Sequence, residues 1–373
     1  MMKGIQTELM PKERLTLYEQ GQEVDRIPTV LTSAETGSLL YGIEIRDYYS
    51  SADVMVDVQS RLAEDFGADD MGMAIGSRAV AEALGTKLVF PDHSVSHVVA
   101  PALSSYDDLE SLPLVDIHTG GRIPVMLEGT KRLQEKFGKT HIIGGGTEGP
   151  VTLAGFLIGI ERFLRDMIRR PDDVQRLLRY SMENVVSCCR DVYAETGICL
   201  SFSEPLISKN ILSPAFFHRF VEPVLSETVR RLTAVYGCRP SMHACGIIHD
   251  RWDALAAMGF SSLSIDNKED MTELKRQHGT EVGITGNVDP VDVLRYGTPE
   301  EVTKDVIRCL RQAGDNPAGF TLCPGCDTPI GTAKENLLAY MQAAAVYGAG
   351  ARKGCLPKGL QNLVDPAVSP EMR

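Results

Sequence analysis

The 373-residue chain is 43% hydrophobic and 24% charged, with a formal net charge of −12. This is ordinary for a folded globular protein. It excludes a nucleic-acid surface, because the basic clusters are no longer than pairs such as Arg169-Arg170 and Arg230-Arg231, and it argues against an anionic membrane surface.

The opening MMKGIQTELMPKERL lacks the apolar core of a secretory leader. The most apolar run, PVTLAGFLIGI, is too short to span a bilayer. Nine cysteines are therefore expected as reduced thiols in a cytoplasm. Short apolar strands then alternate with amphipathic helices along the chain. IPTVLTSA (27–34) reads as a strand, and SSADVMVDVQSRLAEDFG (50–67) as a helix capped by serine and closed by Gly67. DDMGMAI is a strand, and 84–101 a β-hairpin excursion. A helix from Arg122 leads to the strand HIIGGGTEG (141–149). Helices over 151–170 and 172–197 follow, separated at Pro171.

The second half repeats the pattern more regularly. Strands are predicted at ICLSFSEP, RPSMHACG, SSLSIDNK, EVGITGNVDP and GFTLCPGCD, each followed by a helix. About eight strand–helix units favour an α/β fold of the (β/α)8, or TIM-barrel, type as a single domain. The first 26 residues form an N-terminal extension, with helical and hairpin elaborations after it, and the tail from about 350 reads as irregular. Neither a G-x-G-x-x-G fingerprint after an early strand nor a P-loop is present.

Polar residues gather at the predicted strand C-termini, where barrel active sites lie. They are Glu148, Ser203 and Glu204, His243 and Cys245, Asp266 and Lys268, Asn287 and Asp289, then Cys323, Cys326 and Asp327. His243 and Cys245 are two apart on a strand and share one face. Cys326 could join them across the mouth, leaving a tetrahedral zinc with one open position. The competing reading is a buried histidine beside a buried thiol. CPGC (323–326) lacks the context of a redox pair or a zinc ribbon, and Cys323 reads as packing. Cys188 and Cys189 are adjacent on a helix and point apart. Cys199, Cys238, Cys309 and Cys355 have no partner in sequence. DIHTGG (116–121) fits the D-x-H-x-x-G cobalt-ligand pattern but reads as a turn.

The segments ERLTLYEQGQEVDRIPTV, TEGPVTLAGFLIG, LSPAFFHRFVEPVL, MHACG, ITGNVDPVDVLRYGTPEEV and PGCDTPIGTAKENLLAYMQAA together resemble the uroporphyrinogen decarboxylase superfamily, from about residue 10 to about 350. The resemblance implies one of two chemistries. Decarboxylases carry an Arg-rich segment after the first strand, where this chain reads VLTSAETGSLLYG, and a histidine near the place of Cys326. The corrinoid methyltransferase branch instead carries H-x-C and a distant cysteine in a P-G-C-like segment, and His243, Cys245 and Cys326 match it. That branch implies Zn2+ and a corrinoid (cobalamin) brought by a partner protein, with a methoxylated compound, a methylamine or a thiol as the small methyl donor or acceptor.

Glu148, Glu204 and Asp266 are the catalytic candidates for proton handling, or hydrogen-bonded scaffold carboxylates. Asn287 and Asp289 are cofactor-side candidates, or residues that only shape their loop. A metal-free decarboxylase and a non-catalytic zinc- or corrinoid-binding accessory protein are the alternatives. A homodimer is compatible with this reading.

Overall fold

The computed structural model describes residues 8–32, 34–72 and 78–361. Eight extended segments run in parallel around the core. They are β1 (28–31), a short stretch with a bridge at Thr29, and the strands β2 (Asp70–Gly72), β3 in two pieces (Ile142–Gly144 and Gly146–Glu148), β4 (Ser201–Ser203), β5 (Met242–Ala244), β6 (Ser262–Ile265), β7 (Gly283–Val288) and β8 (Phe320–Pro324). One continuous sheet runs from β8 back to the second piece of β3, and the first piece pairs with β2. β1 closes the ring. Thr29 bridges Leu322 in parallel, Val30 N–H donates to the Leu322 carbonyl at 2.9 Å, and Asp69 N–H donates to the Thr29 carbonyl at 2.9 Å. This is the predicted barrel. Its strands bury Leu31, Met71, Phe202, Met242, Leu263, Ile284 and Leu322, since parallel strands are covered on both faces.

Most predicted helices form where their caps placed them. Ser51 Oγ accepts from Val54 N–H, and Gly67 ends that helix in the left-handed region. The helix expected over 151–170 is instead two, Pro150–Ile158 and Ile160–Arg169, broken at Gly159 with φ of 88°. All residues of the first piece are buried and nearly all are apolar, as expected of an interior helix. The hairpin pairs Lys87–Val89 with His97–Ala100.

Chain ends differ most from expectation. The tail near 350 is not irregular throughout, because Ala349–Ala351 pairs antiparallel with Val24–Arg26 below the N-terminal ends of the barrel strands. The rest of the predicted tail beyond 361, residues 1–7 of the extension, and residues 33 and 73–75 of the early strands lie outside the described residues.

Under this closure sits a buried ionic cluster. Arg14 pairs with Asp25 at 2.7 Å and contacts Asp69, while Arg26 pairs with Asp69 at 2.7 Å. Asp69 also accepts from Thr29 N–H at 2.8 Å. One carboxylate therefore ties the N-terminal helix, the segment leading into β1, and β1 itself to the start of β2.

Candidate metal centre

The register between β5 and β6 sets the site. His243 lies level with Ser264, and its Nδ1 meets Ser264 Oγ at 3.0 Å. That contact leaves Nε2 facing Cys245 Sγ at 3.0 Å, and Cys245 Sγ lies 3.3 Å from Cys326 Sγ. The three ligand atoms lie within 4.8 Å of one another, and each residue is half-buried at the barrel mouth. One nitrogen and two sulfurs at the strand ends are a donor set suited to a borderline-soft cation such as Zn2+. His243, Cys245 and Cys326 are thus brought together from β5 and the turn after β8.

Hydrogen bonding polarises this cluster even without a cation. The bond from Cys245 and the contact with His243 hold the Cys326 thiol well below its ordinary value. Cys245 is pushed up by the same bond to Cys326, by burial and by the charge of Asp266. Burial opposes protonation of His243, but Cys326, Asp327 and Asp266 outweigh it and raise its pKa.

MHACG ends in glycine for a local reason. Gly246 sits at φ of 74°, and a Cβ there would lie 2.7 Å from Ser208 Oγ. Asp266 fixes this turn: its Oδ2 accepts from Gly246 N–H at 2.8 Å, and its Oδ1 from Lys268 N–H at 3.0 Å.

The other carboxylates hold helices. Both oxygens of Glu204 are engaged at the N-terminus of Pro150–Ile158, accepting from Val151 N–H at 2.9 Å and from Thr152 N–H and Oγ1 at 2.9 and 2.7 Å. A Cβ on Gly149 would lie 2.2 Å from Glu204 Oε1, which accounts for the glycine of TEGP. Glu148 accepts from Ala81 N–H at 2.8 Å and Thr147 Oγ1 at 2.9 Å. Among the described residues no hydrogen bond joins Glu148, Glu204 or Asp266 to the three ligand atoms. Asn287 is buried and donates to the carbonyls of Asp266 and Glu269 at 2.9 and 3.0 Å. Asp289 caps the next turn through Val291 N–H and Asp292 N–H and accepts from Asn267 Nδ2 at 2.6 Å.

Glu204 carries a measurable pH signature. Burial pushes it up from 4.5 to about 7, against the pull of Thr152 and Val151. The folded protein thus keeps a proton that the unfolded chain releases, so stability falls as pH rises from 4.5 to about 7. A loss on the order of 3 kcal/mol is expected across that window. Glu204→Gln should flatten that part of the profile in urea unfolding. An unchanged slope would place the proton elsewhere.

Ser264 was not among the residues read from the sequence. The signal was present, because Ser264 stands two residues before Asp266 and shares its strand face. Its hydroxyl fixes which imidazole nitrogen faces the thiols. Ser264→Ala is expected to weaken metal binding about 10- to 100-fold with little effect on folding. A chelator competition showing equal affinity would reduce Ser264 to a packing residue.

The family model described as uroporphyrinogen decarboxylase (URO-D) matches residues 10–347. The chain belongs to the uroporphyrinogen decarboxylase family. Methylcobamide:CoM methyltransferase MtaA of Methanosarcina barkeri is 26% identical to it over 347 residues, covering 91% of this chain and 99% of that one. A uroporphyrinogen decarboxylase of Synechococcus sp. (strain CC9605) is 24% identical over 330 residues, 86% of each chain. A solved methyltransferase from Methanosarcina mazei superposes with a TM-score of 0.78 at 24% identity, covering 90% of this chain and 98% of that one. It shares this URO-D-type TIM barrel. In the present family member the DIHTGG segment is a surface turn anchored by the buried Ile117, in which Asp116 accepts from His118 N–H and Thr119 Oγ1, each at 2.8 Å.

Proposed function

We propose that this protein is a zinc-dependent methyltransferase that moves a methyl group between a small substrate and the cobalt of a corrinoid carried by a partner protein. The observation that carries this reading is the convergence of His243 Nε2, Cys245 Sγ and Cys326 Sγ at the barrel mouth. The near full-length similarity to methylcobamide:CoM methyltransferases supports it. Metal-free decarboxylation would leave two thiols in contact at the mouth without a role.

The three residues would hold Zn2+, which when bound keeps thiol ligands deprotonated and offers an open position for a substrate thiol or a polarised methoxyl oxygen. The chain's own residues supply the rest. Ser264 holds the His243 ring. Asp266 holds the Gly246 turn and sets a negative charge beside His243 and Cys245. Glu204 and Glu148 act through the segments they anchor, keeping the mouth in shape. Asn287 and Asp289 brace the loops after β6 and β7 on the corrinoid-facing side. The donor or acceptor is a methoxylated compound, a methylamine or a thiol, with O-demethylation as one direction of transfer. Nine free cysteines suit a reducing cytoplasm. No described helix is long and apolar enough to cross a membrane.

The test is methyl transfer with free cobalamin in the direction each substrate class allows, from a methoxylated compound or a methylamine to cob(I)alamin and from methylcobalamin to a thiol, followed by the absorbance of methylcobalamin. One class is expected to react, and chelation of the metal is expected to abolish the reaction. Undiminished turnover after metal removal, or release of carbon dioxide from a tetrapyrrole carboxylate instead, would overturn the reading.

A further inference from the structure

Away from the mouth, at the N-terminal ends of β4 and β5, two cysteines stand together. Cys199 Sγ and Cys238 Sγ are 3.7 Å apart, both residues are exposed, and both thiols are free. Each is placed by the same device. The helix Pro171–Thr196 ends at Gly197 with φ of 70°, two residues before Cys199. The helix Glu222–Tyr236 ends at Gly237, also with φ of 70°, immediately before Cys238. Both chain turns are braced, because Tyr193 donates to the Tyr236 carbonyl and Tyr236 to the Leu200 carbonyl, each at 3.3 Å.

The parallel register pairs Phe202 with Met242. Continued back three residues, it sets Cys199 level with Arg239, next to Cys238. Adjacent strands lie about 4.8 Å apart and one residue rises about 3.3 Å, so the two Cα atoms lie about 6 Å apart, inside the range of roughly 4.4–6.8 Å over which disulfides join Cα atoms.

We propose that Cys199 and Cys238 form a reversible two-electron modification site, closing to an intrachain disulfide when a low-molecular-weight disulfide is the oxidant. In the first step the Cys238 thiolate attacks one sulfur of the small disulfide and releases its other half as a thiolate. Cys199, deprotonated in turn, then attacks the Cys238 sulfur of the mixed disulfide and releases the second small thiol. The protein loses two electrons and two protons, and the small disulfide becomes two thiols. Partial burial and the bond to Cys238 hold the Cys199 thiol above its ordinary value, and either order of attack ends in the same disulfide. Approach is open, since both sulfurs lie on the outer rim. The closed bond would span adjacent barrel strands and leave the ligand cluster at the opposite end untouched.

The purified protein would be incubated with oxidised glutathione, quenched by alkylation and mapped by tandem mass spectrometry. A Cys199–Cys238 link is expected in the wild type. Cys355, a third exposed thiol with no cysteine partner, is expected to carry only a glutathione adduct. Cys199→Ser should convert the link into a glutathione adduct on Cys238. Oxidation should raise the wild-type melting temperature by about 5 °C, and this shift should be absent in Cys199→Ser. Glutathione adducts on both Cys199 and Cys238 without a link would overturn the proposal. So would no reaction at either sulfur, or a link made instead to Cys245 or Cys326.

Discussion

Replacing Cys326 with alanine is expected to lower zinc affinity by at least about two orders of magnitude, and to abolish methyl transfer at ordinary metal concentrations. Losing a partner of a ligand already costs about 10- to 100-fold, and Cys326 is itself one of the three proposed ligands among the described residues. The variant would keep His243 and Cys245, two donors from one strand, which cannot enclose a cation from both sides. Cys323→Ala is the control. Its sulfur is buried within the same C-x-x-C but is absent from the ligand cluster, and burial pushes that thiol up. Its loss should cost about 1 kcal/mol of stability and no metal. Metal analysis and chelator competition on the two variants separate these effects. Equal zinc content in wild type and Cys326→Ala would remove Cys326 from the site and the proposed chemistry with it.

Replacing Asp69 with alanine is expected to be the most destabilising single change outside the apolar core, at about 3–5 kcal/mol. Two arginines, with side chains 0% and 2% exposed, would lose their shared carboxylate. Thr29 N–H would lose its acceptor as well. The position matters as much as the charge, because β1 is held to its neighbours by a single bridge and a few hydrogen bonds, where the other strands have ladders. Asp69→Asn should fall part of the way, since it keeps the shape and Arg14 keeps Asp25, but the buried Arg26 guanidinium loses its carboxylate. Asp65→Ala is the contrast. It breaks the surface pair with Lys334 and should cost less than about 1 kcal/mol. Urea unfolding of the three variants gives the comparison. A small loss in Asp69→Ala would mean that the barrel closes without this cluster.

These expectations mark where local sequence information ends. Period-2 and period-3.6 patterning, with serine caps and closing glycines, determined the strand–helix alternation and so the barrel. Both signals arise from neighbours within a turn or a strand, which is why they are readable from one chain. The same logic put His243 and Cys245 on one face and the carboxylates at strand ends. It could not say what those carboxylates touch. Glu204 and Glu148 look alike in sequence, yet both are occupied by helix N-termini more than fifty residues away. Ser264 escaped because its role depends on the register between two strands, which no local pattern specifies. The splitting of the helix at Gly159 and the strand formed near 350 were missed for related reasons. A glycine inside an apolar run is tolerated or breaking according to its surroundings, and a three-residue strand exists only by virtue of its partner.

By itself, then, the sequence determined the barrel, the ends of its strands and the identity of three soft or borderline donors. Cys326 is expected beside Cys245 from the family resemblance, whereas tertiary structure alone decided that Cys199 meets Cys238. Cys245 finds Cys326 across 81 residues, and Cys199 finds Cys238 across 39. In a closed ring of strands, proximity is set by register and shear rather than by separation along the chain.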